Sequence, residues 1–181
     1  MLRPSFFRHL SLLLVLPLLL TCAEAEQLVD KYPVRYVVQN PSNVEVLNAA
    51  LNGMGEFCTV VDKGTRVECT NLKGNMSPIN KLATDRYGSF NFGRSNGFIV
   101  GRTNMIASRF PNQVVCYDIV CYNCYNNLGT SRNVELITGA RAQCPKCQCI
   151  YDLNELGIAS EGHSLYRYPV RYSSSLVIGN W

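Results

Sequence analysis

The chain has 181 residues, 47% of them hydrophobic and only 17% charged, and a formal net charge of +4. That length supports one domain with a real core. Part of the small basic excess sits in Arg3 and Arg8, and the rest is scattered, so no basic face for nucleic acid is expected.

The N-terminal segment reads as an export signal. Arg3 and Arg8 precede an apolar run over residues 10–20, broken only by Ser11 and Pro17. The run is too short to span a bilayer comfortably. Ala23-Glu24-Ala25 fits an ordinary cleavage site, giving a signal of residues 1–25. Alternatively, Leu19-Leu20-Thr21-Cys22 resembles a lipobox, with a signal of residues 1–21 and acylation of Cys22, although Thr21 is unusual before the cysteine. The lipoprotein reading is preferred. It removes an odd thiol, leaves eight of the nine cysteines for the folded part, and makes residues 22–31 a polar tether. The expected location is the cell envelope, as an outer-membrane lipoprotein facing the periplasm or the surface, with a secreted or periplasmic soluble protein as the alternative.

Residues 32–181 read as one mainly β domain. Tyrosine is abundant, and short β-branched runs alternate with Gly, Asn and Ser punctuation. Strands are expected over residues 32–39, 56–61, 66–70, 97–100, 113–120, 133–138, 149–153, 165–172 and 176–178. In residues 43–54, Val44, Leu47, Leu51 and Met54 recur at helical spacing behind Ser42, which predicts one short helix with a serine cap. Residues 72–94 are rich in Gly, Asn and Ser and read mostly as loop, with room for a weak strand. Tyr-Pro-Val-Arg-Tyr occurs at 32–36 and again at 168–172. Each proline suits a strand start or a sheet edge. Alternation puts tyrosine and valine on one face and arginine on the other, and the two copies are expected side by side.

Cysteine spacing carries the chemistry. Cys121, Cys124, Cys144 and Cys147 form C-x2-C-x19-C-x2-C, two thiol brackets whose separation allows a strand and a return. Paired brackets of this kind close around one metal ion or a small iron–sulfur centre, with two ordinary disulfides as the alternative. A metal-binding subdomain resembling a zinc ribbon is expected over about residues 113–164. Four thiolates suit Zn(2+) best; mononuclear iron or an all-cysteine [2Fe-2S] cluster are the alternatives. Cys58 and Cys69 flank a hairpin signal. With Lys63-Gly64 as a two-residue turn they oppose each other and can form a cross-strand disulfide, whereas a three-residue turn would spoil that register. Cys116 and Cys149 lie just outside the two brackets, which makes a bridge between them the second disulfide candidate; buried free thiols are the alternative.

These residues together resemble a Rieske-type domain, specifically the Rieske-like lipoproteins of bacterial envelopes. Val114-Val115-Cys116-Tyr117-Asp118 followed by Cys121 resembles the family's approach to its first ligand loop. Residues 144–153, ending Tyr151-Asp152-Leu153, resemble the second ligand loop and the next strand. Residues 162–170 resemble the glycine loop and final strand, and residues 96–101 and 47–51 are similar to segments of the lipoprotein subgroup. The resemblance implies an antiparallel β-sandwich or barrel with the site in these loops. The usual histidine ligands are replaced: Cys147 and Asn123 stand in their slots, and the chain's two histidines are His9, in the export signal, and His163, expected to be a solvated surface residue. A Rieske centre with two histidine ligands is therefore not expected.

No nucleophile sits beside a histidine, and there is neither a phosphate loop nor a recognisable carboxylate pair. The sequence thus points to a non-enzymatic, lipid-anchored protein with a structural metal, or alternatively to an iron–sulfur electron carrier. Its protein or redox partner is not indicated.

Overall fold

The computed structural model describes residues 32–81, 91–104, 113–160 and 163–179. The expected export signal, the lipidation site Cys22 and the tether lie outside the described residues. No helix among the described residues is long and apolar enough to cross a membrane.

The described residues are mainly β and form three antiparallel sheets. A central six-stranded sheet runs in the order β11 (Arg167–Tyr168), β6 (Val114–Asp118), β5 (Gly97–Arg102), β2 (Phe57–Asp62), β3 (Arg66–Asn71) and β4 (Met76–Asn80). Strand β5 is buried almost throughout, because an inner strand covered on both faces must be apolar at every position. Its neighbours alternate: in β6, Cys116 faces one core while Val115 and Tyr117 face the other.

The first core is closed by a three-stranded sheet in which β13 (Ser175–Gly179) lies between β1 (Arg35–Gln39) and β12 (Val170–Tyr172). The second core is closed by a sheet of four very short strands, β7 (Glu135–Ile137), β8 (Arg141–Gln143), β9 (Ile150–Asp152) and β10 (Ile158–Ala159). Strand β6 belongs to the central sheet, so the boundary expected near residue 113 falls inside that sheet.

Helix α1 (Glu45–Asn52) buries Val46, Leu47, Ala50 and Leu51 in the first core. Ser42 is not its cap. It falls inside a 3-10 turn over Pro41–Asn43, and Val44 takes the capping position without a side-chain bond. The open amide of Val46 instead donates to Ser77 Oγ, 3.2 Å away on β4. The stretch read mostly as loop thus contains a strand that supplies the helix cap. Ser77→Ala should lower stability by about 1 kcal/mol, as loss of a capping oxygen does, which thermal denaturation would register.

The two Tyr-Pro-Val-Arg-Tyr copies are both edge strands of the small sheet, but β13 separates them. Tyr36 and Val170 both pair with Ile178, on opposite sides of it. The expected alternation is present: Val34, Tyr36 and Tyr168 are buried in the first core, whereas Arg35 and Arg171 are exposed. Pro169 marks the point where the chain leaves the central sheet after β11 and enters the small sheet as β12. It has no amide to pair, and its carbonyl accepts from Gly179 N at 2.9 Å.

The hairpin of β2 and β3 corrects the expected register. Cys58 faces Asn71, and Cys69 faces Val60. The turn residues are Gly64 and Thr65: Lys63 N donates to Arg66 O, and Gly64 has φ of 84° and donates to Asp62 Oδ1. Placing glycine first in the turn moves the pairing by two residues. An even slip keeps every side chain on its face. Cys58 and Cys69 are therefore diagonal neighbours in the first core, both fully buried and unbridged.

Cys116 joins them in that core, while Cys149 lies in the second, across the central sheet. The structure separates this pair, so the expected Cys116–Cys149 bridge has no geometric basis. The reason is alternation along β6, which turns Cys116 away from the brackets that follow it.

Candidate metal centre

Both brackets project into the second core. The first leaves β6 through Ile119 and Val120 and enters a helix absent from the expected elements, α2 (Tyr122–Asn127). Cys121 caps this helix: its sulfur accepts from Cys124 N at 3.5 Å, and its carbonyl accepts from Tyr125 N at 3.0 Å. One turn of helix thereby carries Cys124 round to the same side as Cys121.

The second bracket is the tip of the β8–β9 hairpin. Cys144 N donates to Cys149 O at 3.0 Å, and Gln148 N donates to Cys144 O at 2.9 Å. Gln148 adopts φ of 62°, a left-handed turn residue, and its side-chain amide donates to Pro145 O.

The four sulfurs of Cys121, Cys124, Cys144 and Cys147 all lie within 4.8 Å of one another, a cluster that can hold a metal ion. The contacts cross between brackets: Cys121 Sγ is 3.5 Å from Cys147 Sγ, and Cys124 Sγ is 3.7 Å from Cys144 Sγ. Three of the four residues are buried, and Cys147 is half-exposed at the rim. Four thiolates fill a tetrahedral shell, so a single ion held here has no open position for water or substrate.

Electrostatics favour such an ion. Burial pushes the Cys121 thiol up, partly opposed by hydrogen bonds from the Tyr151 hydroxyl and the Cys124 amide. Burial and the three neighbouring thiols push Cys124 strongly up. Burial acts upward on Cys147 too, but hydrogen bonds from the Cys149 amide and from the Asn123, Cys121 and Cys149 side chains outweigh it and bring it down to about 6. Cys147 therefore ionises before Cys121 and Cys124, and bringing several thiolates this close together calls for a cation to offset their repulsion.

Two supporting residues were not recognised as such in the sequence. Tyr151 Oη lies 3.2 Å from Cys121 Sγ and accepts from Asn123 N at 3.4 Å, which leaves its proton for the sulfur. Asn123 Nδ2 donates to Cys149 Sγ at 3.6 Å. The sequence signal for Tyr151 is alternation: it sits two residues beyond Cys149 and so faces the same side of the strand. Tyr151→Phe should leave the fold intact and weaken metal binding by roughly 10–100-fold, the usual effect of removing a group that orients a ligand. A competition titration with a chromophoric chelator measures this.

Of the other tyrosines near the brackets, Tyr117 is buried and donates to Leu153 O at 2.8 Å. His163 is exposed and stacks on Tyr122, with ring centroids 5.1 Å apart, outside the sulfur cluster. Asp152 accepts from the amides of Asn154 and Glu155 and so caps the turn after β9. A cavity of about 300 Å³ lined in part by Tyr36, Val38, Val67 and Phe92 borders the first core and shares no residue with the cluster.

No protein-family model matches this chain, and no curated protein is significantly similar to it.

Proposed function

We propose that the protein is an exported, lipid-anchored, non-enzymatic envelope protein of Rieske-like type, in which one Zn(2+) bound by Cys121, Cys124, Cys144 and Cys147 holds the second core together. The sulfur geometry carries the reading. Tetrahedral zinc with Zn–S near 2.3 Å needs sulfurs about 3.8 Å apart, and the contacts between brackets are 3.5 and 3.7 Å. A two-iron cluster divides its terminal thiolates between two metals, so some of them must stand well apart. Here all lie within 4.8 Å, which favours one ion. The loops that carry the Rieske resemblance are the two that supply the sulfurs, and their histidine positions hold Asn123 and Cys147. Anchoring through Cys22 rests on the lipobox-like sequence.

Elemental analysis of protein isolated from its native membrane fraction tests this reading. One equivalent of zinc in a colourless protein is expected. Brown absorption and an electron-paramagnetic signal after reduction would overturn it in favour of an electron carrier. That alternative draws on the hydrogen bonds to Cys121 from Tyr151 and the Cys124 amide, because such bonds set the potential of iron–sulfur centres.

A further inference from the structure

Cys149 is a fifth thiol beside the cluster, and neither the cage nor a structural disulfide uses it. Its backbone amide and side chain both hydrogen-bond to the Cys147 sulfur, and Asn123 Nδ2 donates to its own sulfur at 3.6 Å. Its sulfur forms no disulfide in the structure, and the residue is 7% exposed and packed in the second core. Cys147 is the most solvent-accessible of the four cage residues, at an exposed hairpin tip between Pro145 and Gln148. Two residues apart, the Cα atoms of Cys147 and Cys149 are at most about 7 Å from each other, and the left-handed turn at Gln148 brings them into the range a disulfide spans.

We infer that Cys147 and Cys149 form a peroxide-oxidisable dithiol at the rim of the cage. The Cys147 thiolate attacks a peroxide oxygen, the O–O bond breaks, and the sulfur becomes a sulfenic acid as hydroxide leaves. The Cys149 thiol then attacks that sulfur and expels water, forming the Cys147–Cys149 disulfide. The two sulfurs together give up two electrons, and the peroxide takes them. The cage loses one of its four thiolates, and the remaining three hold the cation more weakly. The buried Cys121, Cys124 and Cys144 stay out of the oxidant's reach until then.

The loss of metal rests on the zinc reading above, whereas formation of the disulfide does not, so the two can fail separately. Purified full-length protein is titrated with hydrogen peroxide while a chromophoric chelator reports released metal, and samples are alkylated and digested after lysine and arginine. Cleavage after Lys146 and Arg167 isolates a peptide whose only cysteines are Cys147 and Cys149. With rising peroxide this peptide should lose two hydrogens and escape alkylation, in step with metal release. Cys149→Ser should raise the peroxide needed for half release several-fold, with release scored against each protein's own starting metal content; Cys149→Ala serves if the serine perturbs packing.

The inference is overturned if both cysteines in that peptide remain alkylatable once metal has left. It is equally overturned if Cys147 is found bonded to Cys121, Cys124 or Cys144, or if both Cys149 variants release metal at the wild-type dose. Protein isolated without metal that still forms the Cys147–Cys149 bond would count against the zinc reading alone.

Discussion

Cys124→Ser and Cys144→Ser should each abolish metal binding and unfold the half of the protein around β7–β10, as should prolonged treatment of the wild type with a strong chelator. The strands of that sheet are two or three residues long, below the length at which pairing sustains itself. The second core counts Cys121, Cys124 and Cys144 among its buried residues, so three of the four candidate ligand sulfurs are part of its packing. A structural zinc contributes on the order of 10 kcal/mol or more at neutral pH, comparable to the whole stability of a typical domain, about 5–15 kcal/mol. Without the ion, four thiols at contact distance either stay protonated or repel. The first core has its own sheet pair and helix α1, so metal loss should split one melting transition into two. Hydrogen exchange checks this: amides of residues 119–159 should lose protection in the stripped protein while those of β2, β3 and α1 retain it. Cys58→Ser and Cys116→Ser change the opposite core and should leave metal content at the wild-type level. A chelated, metal-free protein with unchanged melting and unchanged amide protection would rule out a structural role for the ion.

The cysteine cluster could be read from the sequence because bracket spacing is a local property: two thiols three residues apart can reach one ion whatever surrounds them. What surrounds them was less legible. The turn of helix α2 follows from Cys121 acting as a cap, which depends on the sulfur being held in place by the cluster itself. Strand β8 has only three residues, too few for a periodic signal, and it exists because β7 and β9 flank it. The register of β2 against β3 turned on which of two adjacent positions in the turn glycine occupies. Ser77 is invisible as a helix cap because its partner amide is 31 residues away. The pairing of Cys116 with Cys149 failed for a different reason. Sequence proximity to the brackets suggested spatial proximity, but one residue along a strand is the difference between the two faces of the central sheet. Where the chemistry was local the sequence showed it, and where tertiary placement decided, it did not.

Asp118 joins the two halves, and Asp118→Ala should cost roughly 3–5 kcal/mol, because its hydrogen-bond donors lose a shared acceptor. The carboxylate is fully buried at the end of β6, just ahead of the first bracket. Oδ2 accepts from Arg94 N at 2.6 Å and Tyr168 Oη at 2.7 Å, while Oδ1 accepts from Val120 N at 2.7 Å. Alanine would leave three donors, two of them buried, without this acceptor, and each buried one costs about 1–3 kcal/mol. The approach of the Arg94 segment depends on Gly93, at φ of 77°, where an added Cβ would lie 2.5 Å from Asp118 Oδ2. Tyr168→Phe removes one donor and should cost less than the alanine variant.

The pH dependence has a definite sign. Burial raises the Asp118 carboxyl above its ordinary value, and the three hydrogen bonds and the nearby Arg94 charge only partly offset it. A raised native pKa means the folded state takes up a proton before the unfolded state does. This contribution to stability is complete below the unfolded value of about 3.9 and is lost as pH rises through the native value. The stability difference between wild type and Asp118→Asn, which cannot titrate, should therefore shift toward the wild type as pH falls from neutral. Taking the difference cancels the acid sensitivity of the metal site, which both proteins share. Denaturant titrations at a series of pH values measure it. A difference that stays flat, or that moves toward the asparagine variant in acid, would mean that the hydrogen bonds and Arg94 outweigh the cost of burying the charge.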